Sequence, residues 1–188
     1  MVRQKNTSYR SREHLTIDEV NELIHGAGCR GRHKHRDSTL VLMMFRHGLR
    51  ASEACDLKWD AILWKEAQIM INRAKRGDSG THPLLKDEVE ALRELKRIYP
   101  NSYYIFAGEQ GKNLSVDSVQ RIVSEAGKVA KLGIKVHPHM LRHACGYHLV
   151  NQDAHLLEIQ SYLGHKNIQN TAKYTKLKTT NYKTFQWD

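Results

Sequence analysis

Apolar residues recur at helical spacing in four separate segments, and one stretch between them has the pattern of paired strands. Val20, Leu23 and Ile24 share one helical face, as do Leu40, Val41, Met44 and Phe45. The same holds for Val89, Leu92, Leu95 and Ile98, and for Val116, Val119, Ile122 and Val123. That stretch is Ile69-Met70-Ile71, followed by a basic tip at Lys75-Arg76-Gly77-Asp78-Ser79-Gly80 and a return through His82-Pro83-Leu84. This reads as a β-hairpin at a sheet margin, where proline is tolerated. The fold class is therefore mainly α with a small antiparallel β-sheet. At 188 residues the chain holds one well-cored domain, or a domain with a short arm.

Local signals set the boundaries. Residues 1–14 are basic (Arg3, Lys5, Arg10, Arg12) and lack apolar periodicity, which predicts a flexible arm. Thr16-Ile17-Asp18-Glu19 is a capping box, and Gly26 with Gly28 is expected to end the helix it starts. Residues 29–36 read as a charged loop, with Asp37-Ser38 opening the second helix and Gly48 breaking it. A short helix through Ala51–Cys55 carries Arg50 and Glu53. Pro100 closes the helix of Val89–Ile98, and Tyr103–Phe106 is a further strand or extended segment. Ser115 or Asp117 starts a helix to about Lys131, with Val116 inward and Ser118, Arg121 and Lys128 outward. Pro138 suits the first turn of a helix reaching about Val150, and a last helix over roughly 153–163 stops at Gly164. The domain thus covers residues 15–175, with a basic tail at 176–188 bearing Phe185 and Trp187.

Thirty Lys and Arg against twenty Asp and Glu leave a net charge of +10, which favours a polyanionic partner through counterion release. No apolar run approaches the roughly 18 residues of a membrane span, and the N-terminus lacks an apolar signal core. A cytoplasmic protein without a membrane partner is expected. Cys29, Cys55 and Cys145 are odd in number and far apart, so they read as small core residues in a reducing compartment. His139 and His143 are four apart, but Met140 occupies the place where a zinc-protease helix carries glutamate. No spaced carboxylates stand out either, so neither metal nor cofactor is expected.

What does stand out is an ordered set: Arg46-His47-Gly48-Leu49-Arg50-Ala51-Ser52-Glu53, then His139-Met140-Leu141-Arg142-His143, then Leu163-Gly164-His165 and Tyr174. His139 and Arg142 are three apart and share a helical face. An arginine fork matches two phosphate oxygens. A phenol is a poor nucleophile near neutrality, its pKa lying near about 10, and needs a cationic pocket to become one. Tyr162, Tyr103 and Tyr104 sit in apolar or strand-like contexts, whereas Lys173 and Lys176 flank Tyr174.

In order and spacing these motifs, with Lys75 on the hairpin, resemble the tyrosine recombinase (phage integrase) family over about residues 14–175. The short length and the string His137-Pro138-His139-Met140-Leu141-Arg142-His143-Ala144-Cys145-Gly146 look like the fimbrial phase-variation DNA invertases of enteric bacteria. The resemblance implies that Tyr174 attacks the scissile phosphate to form a 3′-phosphotyrosyl link. Arg50 and Arg142 would clamp the phosphoryl oxygens with help from His165. Lys75 would protonate the leaving 5′-oxygen, His139 would act as base, and Glu53 and His143 would support. Arg76, Ser118, Gln120, Arg121 and Lys173 are candidates for DNA contact.

The implied partner is double-stranded DNA bearing inverted repeats, bound by a tetramer with accessory DNA-bending proteins. Typical members carry an N-terminal domain that closes a clamp on DNA, and only about 14 residues precede the first helix here, so one-sided gripping of DNA is expected. Phe185 and Trp187 become candidate anchors on a neighbouring protomer. Two other readings share part of this pattern: a type IB topoisomerase, and a DNA-binding regulator without catalysis.

Overall fold

The computed structural model describes residues 12–74, 78–108 and 111–175. Residues 1–11 of the expected arm, Lys75 and Arg76 at the hairpin tip, and the tail 176–188 with Phe185 and Trp187 lie outside the described residues.

Eight α-helices and three strands run in the order α1 (Ile17–Cys29), α2 (Lys34–Arg46), α3 (Ala51–Cys55), β1 (Ile62–Leu63), β2 (Gln68–Ile71), β3 (Gly80–Pro83), α4 (Lys86–Ile98), α5 (Val116–Val129), α6 (Pro138–Asn151), α7 (Leu156–Leu163) and α8 (Gln169–Thr175) among the described residues, with one 3-10 turn at Trp59–Ala61 before β1. The sheet is antiparallel in the order β1-β2-β3, with Ile62 opposite Ile69 and Ile69 opposite His82. Period-two burial drives Ile69 and Ile71 into the core and leaves Met70 outside.

Caps form where short-range chemistry asks for them. At α1 the Thr16 hydroxyl accepts from the Glu19 N–H at 3.3 Å and the Glu19 carboxylate accepts from the Thr16 N–H at 2.8 Å. Ser115 caps α5, Pro138 occupies the first turn of α6, and Gly164 closes α7 in the left-handed region at φ 61°.

Packing overrides other expectations. Helix α1 runs through Gly26 and Gly28 to Cys29 rather than ending at them. A Cβ on Gly26 would lie 2.7 Å from the carbonyl oxygen of Ala126 on α5, so this glycine lets two helices approach closely. Helix α2 begins at Lys34, inside the expected loop. Arg36 is buried there, donating from Nη1 to the Ala107 carbonyl at 2.8 Å and pairing with Asp37. The segment Tyr103–Phe106 forms only an isolated bridge between Lys58 and Tyr104, and it serves to bury Ile105 and Phe106. Val116 is exposed, because α5 turns Val119, Val123, Ala126 and Gly127 inward. Cys29 is exposed, while Cys55 and Cys145 are buried as expected of small core residues.

The main core joins α1, α2, α4, α5, α6 and the sheet. A second cluster, Cys145, Val150, Ile159, Leu163 and Tyr174, ties α7 and α8 to α6. The arginine and histidine motifs meet where the two clusters join. Among the described residues no helix is long and apolar enough to cross a membrane.

Candidate active site

The turn between α2 and α3 carries the first motif. Gly48 has φ 56°, and a Cβ there would stand 2.4 Å from Leu163 Cδ2, so only glycine lets this turn press against the end of α7. Arg50 then caps α3: its N–H donates to Glu53 Oε2 at 3.0 Å and its Nη1 to Glu53 Oε1 at 2.5 Å. The Arg50 side chain remains partly exposed, at 25%.

Arg142 comes from α6 and is almost fully buried. Its Nη1 donates to the Gly48 carbonyl and its Nη2 to the Leu163 carbonyl, each at 2.5 Å, and Nη1 lies 3.9 Å from Glu53 Oε2. Burial, followed by the neighbouring charges of Arg50 and Arg73, draws its pKa down to about 10, which still leaves it cationic at neutral pH.

Arg73, just past β2, is the residue that sequence reasoning missed. Its side chain is buried, and it donates to Glu53 Oε2 at 3.0 Å, to the His47 carbonyl at 2.8 Å, to the Tyr162 carbonyl at 2.5 Å and to the Gly48 carbonyl at 3.4 Å. A lone arginine beside a basic hairpin tip gives no such signal in the sequence. Burial alone would raise the Glu53 carboxyl, but the Arg50 N–H and the charges of Arg73 and Arg50 hold it below its ordinary value.

The second motif lines α6. His139 is exposed in a groove of about 710 Å³ shared with Arg50, Gln120, Arg121, Lys135 and His137. Desolvation, then the charges of Lys173 and Arg142, lower it to about 4. One turn on, His143 meets His139 edge to face with ring centroids 4.5 Å apart. Its Nδ1 lies 3.1 Å from the Tyr174 hydroxyl, so the partner of that hydroxyl is His143 and not His139. Burial and Lys173 lower His143 to about 2.

His165 follows the left-handed Gly164 and hydrogen-bonds through Nδ1 to Thr171 Oγ1 at 2.8 Å. Burial and Arg142 lower it to about 3. Tyr174 on α8 stacks over His165 with centroids 6.3 Å apart, beneath the Lys173 ammonium 5.2 Å from its ring. Its ring lies against Gly146, where a Cβ would come within 2.5 Å of Tyr174 Cε2. At 1% exposure Tyr174 is buried, and that burial raises its pKa further.

Arg50, Glu53, His139, Arg142, His143, His165, Lys173 and Tyr174 are thus gathered from α3, α6, α7 and α8 into one cationic region. Gln120 and Arg121 border it on the exposed face of α5. Ser118 opens onto a separate cavity of about 620 Å³ between α1, α2 and α5. Among the described residues no three His, Cys, Asp or Glu side chains are grouped to hold a metal ion. Fixed guanidiniums around one carboxylate, with neutral imidazoles and a phenol beside them, suit the binding and attack of a phosphodiester.

The sequence profile of the Phage integrase family matches residues 13–181, and the chain belongs to this family, the tyrosine-type site-specific DNA recombinases. Its relatives include the type 1 fimbriae regulatory protein FimB of Escherichia coli K12, 42% identical over 171 residues, covering 88% of this chain and 85% of FimB. The type 1 fimbriae regulatory protein FimE of the same strain is 41% identical over 170 residues, covering 87% and 85%. The tyrosine recombinase XerA of Pyrococcus furiosus is 34% identical, and there the match spans 57% of the relative. Among solved structures, XerA recombinase superposes with a TM-score of 0.81 at 23% identity, over 93% of this chain and 66% of that one. A lambda integrase dimer bound to a COC′ core site gives 0.72 at 22%, over 99% and 51%. These structural likenesses establish the fold.

Proposed function

We propose that this recombinase inverts a DNA segment between short inverted repeats through a 3′-phosphotyrosyl intermediate, and that the segment controls fimbrial phase variation. The observation that carries the chemistry is the placement of Tyr174 beside His143 and His165, next to Arg50 and Arg142, which converge on Glu53. The fimbrial assignment rests on the 42% and 41% identities to FimB and FimE.

Tyr174 Oη attacks the scissile phosphorus as the bond to the 5′-oxygen breaks. Arg50 and Arg142 stabilise the charge on the non-bridging oxygens and His165 donates a further hydrogen bond. His139 serves as base, and His143, with Nδ1 already 3.1 Å from the hydroxyl, is positioned to relay the phenolic proton. Lys75 gives a proton to the leaving oxygen, and a 5′-hydroxyl attacks the phosphotyrosine to rejoin strands. The bond energy is conserved in the ester, so the cycle runs without ATP. The buried Tyr174 ring has to rise from Gly146 to reach a phosphate.

Residues 15–175 form the catalytic domain, between a basic arm (1–14) and a tail (176–188) that docks on a neighbouring protomer. Arg76, Gln120, Arg121, Ser118 and Lys173 contact DNA, and a tetramer pairs two sites with help from DNA-bending proteins in the bacterial cytoplasm. The test is a nicked suicide substrate that traps the covalent intermediate. The parent chain forms a denaturation-resistant adduct in the presence of chelator, and Tyr174→Phe binds DNA but forms none. An adduct that survives Tyr174→Phe rejects the nucleophile, and one abolished by chelator rejects metal-free chemistry.

A further inference from the structure

We propose that Arg73 is a positioning residue for the two phosphate-binding arginines, an inference that rests on the recombinase chemistry above. Its guanidinium joins four groups: the Glu53 carboxylate and the carbonyls of His47, Gly48 and Tyr162. Arg142 uses the Gly48 carbonyl and the next carbonyl along α7, that of Leu163. The two guanidiniums therefore staple the same seam, between the turn after α2 and the end of α7. Arg73 holds one side of it from the sheet, and Arg142 holds the other from α6.

Arg50 depends on the same arrangement through Glu53. One carboxylate oxygen, Oε1, accepts from Arg50 and from the Ala74 N–H at 3.1 Å. The other, Oε2, accepts from Arg73 and from the Arg50 N–H. Without Arg73 the buried carboxylate loses a counter-charge and the His47 and Tyr162 carbonyls lose this donor, while the Gly48 carbonyl is left to Arg142 alone. The carboxylate then draws Arg50 and Arg142 toward itself and away from a bound phosphate. A lysine would keep the charge but supply one nitrogen where the fork supplies separate N–H groups.

A substrate that needs less cationic help separates positioning from mere stability. Replacing one non-bridging oxygen of the scissile phosphate by methyl gives a methylphosphonate, which lacks the charge the guanidiniums neutralise. Attack still forms the tyrosine ester and releases the 5′-hydroxyl. Adduct formation is measured for parent and Arg73→Gln on phosphodiester and methylphosphonate suicide substrates, alongside thermal unfolding and DNA affinity.

On the phosphodiester, the folded variant is expected to be slower than the parent by about tenfold or more, a smaller loss than the roughly 10²–10³ of deleting a direct donor. DNA affinity stays near the parent's, and the deficit narrows on the methylphosphonate. A rate equal to the parent's, or the same loss on both substrates, overturns the proposal. Arg73→Lys carries the same test if Arg73→Gln does not fold, and restoration of full activity by lysine counts against the fork. A parent that forms no adduct on either substrate rejects the recombinase reading instead.

Discussion

Glu53 is a buried carboxylate that hydrogen-bonds Arg50 and Arg73, with the Arg142 guanidinium 3.9 Å away on two backbone carbonyls. Around them the imidazoles are driven to their neutral forms. His82 and His165 are lowered to about 3, His139 to about 4 and His143 to about 2, by desolvation first and by cationic neighbours after it. In the unfolded chain these groups return to about 6.5. Below that pH the unfolded state binds more protons, so stability is fully present above about 6.5 and falls as pH drops toward the folded values. Thermal unfolding between pH 7.5 and 5 checks this: the midpoint declines with acid, and His82→Gln makes the decline shallower. An unfolding midpoint independent of pH over that window contradicts the burial described here.

At the scale of elements, glycine shows what packing adds to local preference. Gly26 and Gly28 both lie in α1, yet a Cβ at 26 would be 2.7 Å from backbone of α5, while at 28 the nearest atom is Ser38 Cβ at 3.5 Å. Gly26→Ala is expected to cost about 1–3 kcal/mol through overpacking. Gly28→Ala is expected to be neutral or to stabilise by about 0.5–1 kcal/mol through helix preference. Chemical denaturation of the two variants separates them, and equal effects would refute the packing argument.

The same contrast explains what could be read from sequence. Caps at Thr16, Ser115 and Gly164 depend on a few neighbouring residues and were legible there. Helix periods placed His139, Arg142 and His143 along α6 for the same reason. The extent of α1, the burial of Arg36 and the four contacts of Arg73 depend on partners 20 or more residues away, including Ala126, Ala107, Glu53, His47 and Tyr162. Nothing in local spacing encodes those.

For the whole molecule, two hydrophobic clusters share the work. The larger fixes α3 and α6, and the smaller carries α7 and α8, so Tyr174 is delivered to the arginines by the part of the protein with the smaller core. Local opening is easier where fewer apolar contacts close an element. That division agrees with the proposal that the phenol, buried against Gly146, moves out to reach DNA. Tyr147 is the nearby competitor, its ring centroid 4.9 Å from that of Tyr174. The central claim is therefore tested most directly by digesting the trapped protein–DNA adduct and sequencing the linked peptide by mass spectrometry. The predicted result is a 3′-phosphate esterified to Tyr174. A link to Tyr147 or any other residue, or to the 5′ end of the DNA, would contradict it.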